Sequence, residues 1–106
     1  MTITILGLGA GDAMQLTREA WLVLETAGEI YVRTRRHPTV PDLPPGLVVH
    51  SFDDLYERAG DFEQVYAAIA EEVVRLGQRS QGVVYAVPGH PLVGESTVTR
   101  ILKWAE

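Results

Sequence analysis

Two glycine-bearing loops, one near each end of the chain, directly follow apolar segments that are typical of buried strands. The first loop, Gly7-Leu8-Gly9-Ala10-Gly11-Asp12, comes after Ile3-Thr4-Ile5-Leu6. The second, Pro88-Gly89-His90-Pro91-Leu92-Val93-Gly94, comes after Val83-Val84-Tyr85-Ala86-Val87. In parallel α/β sheets, ligands bind in the crevice outside the carboxyl ends of the strands. The two loops are therefore predicted to form two walls of one small-molecule site.

The rest of the chain alternates strand and helix patterns, which predicts an α/β fold with a mainly parallel sheet flanked by helices. The predicted strands cover residues 3–8, 30–32, 47–49 and 83–87. One helix is predicted between the N-cap Thr17 and Gly28, and a second over residues 62–79 behind the capping pair Asp61 and Gln64. A last helix is predicted from Glu95, with its inward positions at Val98, Ile101, Leu102 and Ala105. Right-handed crossovers would bring both glycine loops to one edge of the sheet.

Composition narrows the class of protein. The chain has 106 residues, which fits one domain with a real core, and a net charge of -5, which argues against a nucleic-acid partner. It has no cysteine, which excludes disulfides, thiolate metal sites and a thiol nucleophile. Its histidines, at positions 37, 50 and 90, lack metal-ligand spacing, so no metal site is predicted. No signal segment or apolar stretch of membrane-spanning length is present, and a cytoplasmic domain is expected.

The first glycine loop differs from the dinucleotide-binding fingerprint. Its third glycine comes one residue early, the next helix begins about ten residues later, and Arg33 and Arg35 occupy the region where an acidic residue would bind ribose. An NADP site could use those arginines and stays an alternative. The simplest interpretation is that the glycines only permit a tight turn. The functional interpretation is that missing side chains let a flat, adenosine-like ligand approach the backbone.

The second loop is stiffer, because Pro88 and Pro91 fix φ on either side of Gly89 and His90. The pKa range of histidine makes His90 a candidate acid or base, although no partner carboxylate is evident and a plain polar loop side chain is the simpler interpretation.

Two clusters of charge have both a functional and a simpler interpretation. The basic stretch Arg33-Thr34-Arg35-Arg36-His37 could bind a phosphate or carboxylate group, or it could be a solvated loop. The acidic clusters lack the paired E-x-x-E pattern of a metal-dependent pyrophosphohydrolase and are interpreted as exposed faces; they comprise Asp53, Asp54, Glu57, Glu71 and Glu72. Ser96 and Thr97 are interpreted as helix-capping residues.

Four segments in order carry a family resemblance. They are residues 7–12 followed by Leu16-Thr17; Tyr31-Val32-Arg33-Thr34 with His37-Pro38; residues 51–56 leading to Phe62-Glu63-Gln64-Val65-Tyr66; and residues 85–91. The first resembles the opening of the tetrapyrrole methylase superfamily, the class III S-adenosylmethionine-dependent methyltransferases. The set as a whole resembles the methylase-like domain that precedes a MazG-type nucleoside triphosphate pyrophosphohydrolase.

The resemblance implies two α/β domains with S-adenosylmethionine in the cleft between them. Residues 1–106 correspond to the first domain; the second methylase domain and any pyrophosphohydrolase domain would lie outside this chain. The cofactor-lining positions implied are Ala10, His90 and Val93, in loops shaped by Gly7, Gly9, Gly89 and Pro91. His90 stands where the family commonly has an aspartate beside the cofactor. No catalytic residue is implied, because methyl transfer of this type rests on positioning and desolvation.

The function expected on these grounds is that of a methyltransferase domain that contributes half of a cofactor cleft and is inactive when isolated. Its partner would be a small-molecule substrate, with no nucleic acid and no membrane, and a homodimer is possible. Three alternatives stay open: a non-catalytic nucleotide-binding or regulatory module attached to the pyrophosphohydrolase, an NADP-binding domain, and an assembly domain.

Overall fold

The computed structural model describes residues 2–9, 16–36, 40–58, 61–87 and 96–104. Its strands are β1 (Ile3–Gly7), β2 (Glu29–Val32), β3 (Val48–Ser51) and β4 (Val83–Val87). Its helices are α1 (Arg18–Ala27), α2 (Asp53–Arg58), α3 (Phe62–Gly77) and α4 (Ser96–Trp104), with a short 3-10 turn at Val40–Asp42.

The four strands form one parallel sheet in the order β1-β4-β2-β3. Gly7 pairs with Val87 at the ends of β1 and β4, and Tyr31 of β2 pairs with Tyr85 of β4. This confirms the predicted α/β fold with a parallel sheet. The strand β3 begins one residue later than predicted and continues through His50 and Ser51. These polar residues extend the backbone ladder without adding to the apolar pattern, so hydrophobicity alone ended the strand too early.

Helices cover both faces of the sheet, and each face has its own apolar cluster. On one face Leu24 of α1 packs with Ile30, Val32 and Ala86. On the other face α3 and α4 pack against alternate residues of β4, in a cluster that includes Ile69, Val73, Val83, Tyr85, Val87, Val98 and Ile101. The central strand β4 is thus buried on both sides, as a parallel strand between two helical layers must be.

The predicted helix ends agree with the structure where side chains cap them. The Thr17 hydroxyl accepts a hydrogen bond from the amide of Ala20 at 3.1 Å, and Gly28 ends α1 at a φ of 72°. The Asp61 carboxylate accepts from the amide of Gln64 at 2.8 Å. Each cap satisfies a backbone donor that the first helical turn leaves without a partner.

The inward face of α4 differs from the prediction. Val98 and Ile101 are buried, but Leu102 is 48% exposed and Thr97, interpreted from sequence as a cap, is fully buried inside the helix. The Thr97 hydroxyl lies 2.8 Å from the Tyr85 hydroxyl. Thr97 therefore belongs to the buried face of α4 and Leu102 does not, which an apolar pattern alone does not predict.

Candidate functional site

The carboxyl ends of the strands meet along one edge of the sheet. Beyond β1, the amide of Leu8 donates to the carbonyl of Val87 at 2.8 Å, and beyond β2 the amide of Arg33 donates to the carbonyl of Ala86 at 3.1 Å. The segments that leave β1 and β2 therefore flank the end of β4, which leads to the second glycine loop. We call this side of the molecule the carboxyl edge.

The strands β1 and β4 are neighbours whose following helices lie on opposite faces of the sheet, α1 on one and α4 on the other. Such a topological switch point opens a crevice between the two strand ends, and this is where open parallel sheets bind ligands. The structure therefore brings together the two strands that precede the glycine loops, as the sequence predicts.

Gly9 is the described glycine whose geometry bears most directly on the crevice. Its φ is +72°, and a methyl group built on it would meet no other atom of the described structure within 4 Å. Gly7 is the last residue of β1 and pairs with Val87. The positive φ explains why position 9 favours glycine. Among the described residues, no atom occupies the position that a side chain would take at Gly9.

The other predicted site residues, Ala10, Gly89, His90, Pro91 and Val93, lie outside the described residues and stay predictions. His37, at the end of the basic stretch, also lies outside them. Within the described ranges, no group of three or more His, Asp or Glu side chains is arranged to hold a metal ion.

The loop after β2 is held against the start of α2 by Asp53. One carboxylate oxygen of Asp53 accepts from the Thr34 hydroxyl at 2.7 Å, and the other accepts from the amide of Arg35 at 2.9 Å. The Thr34 oxygen in turn accepts from the amide of Arg36 at 3.1 Å. Residues 33–36, which we call the basic loop, therefore have a defined conformation at the carboxyl edge.

The electrostatic environment keeps Asp53 ionised. Partial burial raises its pKa, but hydrogen bonds from the Arg35 amide, the Thr34 hydroxyl and Ser51, together with the charge of Arg36, outweigh burial and hold the pKa below its usual value. The sequence interpretation of the acidic clusters as exposed faces holds for Asp54 and Glu71, whereas Asp53 is half-buried and bonded to the basic loop. No local pattern connects Asp53 to a loop 18 residues earlier; only the parallel pairing of β2 and β3 brings their ends together.

The arginines of the basic loop differ in their surroundings. The Arg35 guanidinium donates to the carbonyl of Val49 at 2.6 Å, so part of its role is to brace the loop against β3. Arg36 is exposed. Arg33 stands at the end of β2, where a dinucleotide-binding fold would have an acidic residue.

The helix α1 begins at Arg18 behind its cap Thr17, so ten residues separate it from Gly7. The positive end of the helix is not at the glycine loop, and the geometry departs from dinucleotide-binding folds, in which the helix starts within that loop. No helix in the described ranges is long and apolar enough to span a bilayer.

The fold defines a parallel α/β domain in which the two strands that precede the glycine loops end side by side. Residues 2–106 match the family model of the tetrapyrrole (corrin/porphyrin) methylases, and the chain belongs to this family. This confirms the family part of the resemblance in the sequence.

The chain is also similar to individual proteins. The chain is 46% identical over 97 residues to the uncharacterized protein YabN of Bacillus subtilis (strain 168), covering 91% of this chain and 20% of YabN. In fold it is similar to a uroporphyrin-III-C-methyltransferase of Thermus thermophilus, with a TM-score of 0.66, 24% identity, and 97% of this chain and 42% of that chain covered. A Thermus thermophilus uroporphyrin-III C-methyltransferase complexed with S-adenosylhomocysteine gives a TM-score of 0.56 at 19% identity, covering 96% of this chain and 42% of that one. The chain thus spans a fifth of YabN and less than half of either methyltransferase.

Proposed function

We propose that this chain is the N-terminal domain of an S-adenosylmethionine-dependent methyltransferase and contributes one half of the cofactor cleft. The observation that carries the proposal is the switch point between β1 and β4, where Gly9 leaves the backbone open beside the crevice. Family membership and the S-adenosylhomocysteine bound to a similarly folded methyltransferase support the same ligand.

In this proposal the two glycine loops hold the cofactor between them. Gly7 and Gly9 shape the first wall, with Ala10 against the ligand; Gly89 and Pro91 shape the second, with His90 and Val93 against it. The cofactor supplies an activated methyl group on a sulfonium. The loops orient that group towards a small-molecule acceptor and exclude water, which lowers the barrier without a dedicated acid or base.

The remainder of the cleft would come from a second methylase domain, and a MazG-type pyrophosphohydrolase domain would follow it. The short coverage of YabN is consistent with such additional domains. Residues 1–106 alone should bind the cofactor weakly and show no turnover, because half a cleft buries only part of the ligand. We further propose a cytoplasmic protein that acts on a small molecule, binds neither nucleic acid nor membrane, and can form a homodimer.

Calorimetric titration with S-adenosylhomocysteine tests the cofactor role of the first loop. Gly9→Ala should weaken binding about tenfold, because a methyl group would enter the space reserved for the ligand. Gly46→Ala is the matched control, since Gly46 also has a positive φ, of 82°, and open space beside it. If the two variants lose similar stability and both keep wild-type affinity, Gly9 serves only the turn.

A second experiment tests the half-cleft model, in which residues 1–106 supply one half of the cofactor cleft and a second domain supplies the other. A longer protein that includes the second domain should bind S-adenosylhomocysteine much more tightly than residues 1–106. Equal affinity of the two would contradict the model, because the second domain would then contribute no contacts.

A second candidate function is a non-catalytic module that binds a nucleotide and regulates the pyrophosphohydrolase. The ordered basic loop favours it, since arginines are well suited to phosphate recognition. Methylation by the full-length protein with and without His90→Asp separates the two candidates. Activity in wild type supports the methyltransferase, and activity only in the variant indicates a decayed one.

A further inference from the structure

The strand β3 forms one edge of the sheet, since the order β1-β4-β2-β3 gives it a neighbour among the described strands on one side only. An edge strand exposes backbone donors and acceptors that can pair with a strand of another molecule. The strand β2 separates this edge from β4 and β1, the strands that precede the glycine loops. Contacts at the β3 edge are therefore separate from the proposed cofactor cleft.

The hydrogen bonds between β2 and β3 show which backbone groups of β3 face outward. The amide of Phe52 donates to the carbonyl of Val32 at 3.2 Å, and the amide of Val48 donates to the carbonyl of the residue before β2 at 3.0 Å. The backbone groups of successive residues in a strand point alternately to its two sides. The amides and carbonyls of Val49 and Ser51 therefore point away from β2, towards the outer edge of the sheet.

The side chain of Arg35 already binds one of these outward groups. Its guanidinium donates to the carbonyl of Val49 at 2.6 Å and therefore lies on the outer side of β3. The backbone of Arg35 is held as well, because its amide donates to the Asp53 carboxylate at 2.9 Å. At the outward position before β3, the amide of Leu47 donates to the carbonyl of Pro44 at 3.3 Å. The pairing edge is thus two residues long, and Arg35 covers one of its two carbonyls.

Two copies of this edge would be complementary to each other. In an antiparallel pair with its two-fold axis at His50, Val49 of one copy would face Ser51 of the other, and each such pair would exchange two backbone hydrogen bonds. Each exchange needs the Val49 carbonyl as an acceptor, so the two Arg35 side chains compete for two of the four bonds. Val48 is 52% exposed beside this edge, so pairing would also cover apolar surface.

We infer that Arg35 blocks the β3 edge and keeps two copies of this chain from joining their sheets through β3. Charged side chains commonly protect edge strands from such pairing. The residues of β3 itself, Val48–Ser51, include no lysine or arginine, and the protecting charge comes from the basic loop after β2. A second strand would have to displace the guanidinium and break a charge-assisted hydrogen bond. A homodimer of this chain would therefore use another surface.

Removal of the Arg35 side chain tests this inference. Arg35→Ala should raise the self-association constant about tenfold over wild type, because two acceptors per dimer become available. Arg36→Ala is the matched control, since it removes the same charge from the next residue, which is also exposed, and it should leave association unchanged. Arg35→Lys keeps a cationic donor and should stay close to wild type. Sedimentation velocity over a range of protein concentrations measures the constants, and the ¹⁵N amide shifts of Val49 and Ser51 identify the surface.

Val49→Pro, introduced together with Arg35→Ala, tests the edge itself. The Val49 amide points outward, so proline removes a donor of the pairing edge without removing a bond to β2, and association should return to the wild-type level. Far-ultraviolet circular dichroism checks that each variant keeps the fold. The inference is overturned if Arg35→Ala associates no more than wild type, if Arg36→Ala associates equally, or if association leaves the amide signals of Val49 and Ser51 unchanged. It is also overturned, without any variant, if those two signals shift with concentration in wild type.

Discussion

At the scale of single residues, Gly82 occupies a position where both the backbone conformation and a close neighbour favour glycine. Its φ is +68°, and an added Cβ would lie 2.5 Å from the carbonyl oxygen of Thr2, which accepts the hydrogen bond of Val83 at the start of the β1–β4 pairing. Backbone strain and a clash with backbone atoms would therefore act together. We expect Gly82→Ala to lower the free energy of unfolding by about 3 kcal/mol or more.

Gly46→Ala is the control for that prediction, because Gly46 has a similar φ but no neighbour to clash with. It should cost only the strain of the left-handed backbone, about 1–2 kcal/mol. Urea unfolding of both variants measures the difference. Equal losses would mean that β1 shifts to accommodate the extra methyl group.

The carboxylate of Glu29 makes the stability of the fold depend on pH. Its carboxylate lies 3.1 Å from Arg79 and 3.1 Å from His50. Burial raises its pKa, but the hydrogen bonds and charges of Arg79 and His50 together outweigh this and lower the pKa below the usual 4.5. A carboxylate with a lowered pKa stabilises the fold above its unfolded pKa, and that contribution is lost as the pH falls through the folded pKa.

We therefore expect Glu29→Gln to lower Tm at neutral pH and the gap from wild type to close as the pH drops below 4.5. The gap should be a few degrees, since partly exposed ion pairs contribute about 0.5–1 kcal/mol. Melting curves across this pH range measure it, with Glu25→Gln on the exposed side of α1 as the control. A gap that persists at low pH would show that the glutamine disturbs packing instead.

At the scale of elements, one buried hydrogen bond joins the strand before the second glycine loop to the helix after it. The hydroxyls of Tyr85 and Thr97 are 2.8 Å apart, and both residues are fully buried. Tyr85→Phe and Thr97→Val each remove one hydroxyl with little change of shape. Each should lower the free energy of unfolding by about 1–2 kcal/mol, and the double variant by clearly less than the sum.

Chemical denaturation of the two single variants and the double variant completes that cycle. If the losses of the two single variants add up to the loss of the double variant, the prediction is wrong, because removing either hydroxyl already breaks the same hydrogen bond. The result bears on the candidate site, since this bond links β4 to α4, the two elements on either side of the second glycine loop.

At the scale of the whole molecule, local sequence patterns predicted the helices and strands better than they predicted which strands pair with each other. Thr17 and Asp61 cap the helices as expected, because a cap acts within three residues. The order β1-β4-β2-β3 and the bond from Asp53 to Thr34 depend on which strands pair, and hydrophobic periodicity carries no information about pairing partners. That the ends of β1 and β4 lie at one edge of the sheet could be predicted, because parallel strands share one carboxyl edge in any order; that β1 and β4 are neighbours could not.

The helices on the two faces of the sheet, α1 and α3, bury different numbers of residues. This predicts that the two helices differ in local stability. In α1 only Ala20 and Leu24 are buried, whereas α3 buries six residues against the opposite face of the sheet. Segments with fewer buried contacts open at a lower free energy than the whole domain. Amide hydrogen exchange should therefore be faster along α1 than along the centre of α3. Because α1 follows the first glycine loop, that wall of the crevice would rest on the more easily opened layer, and equal protection of both helices would contradict this.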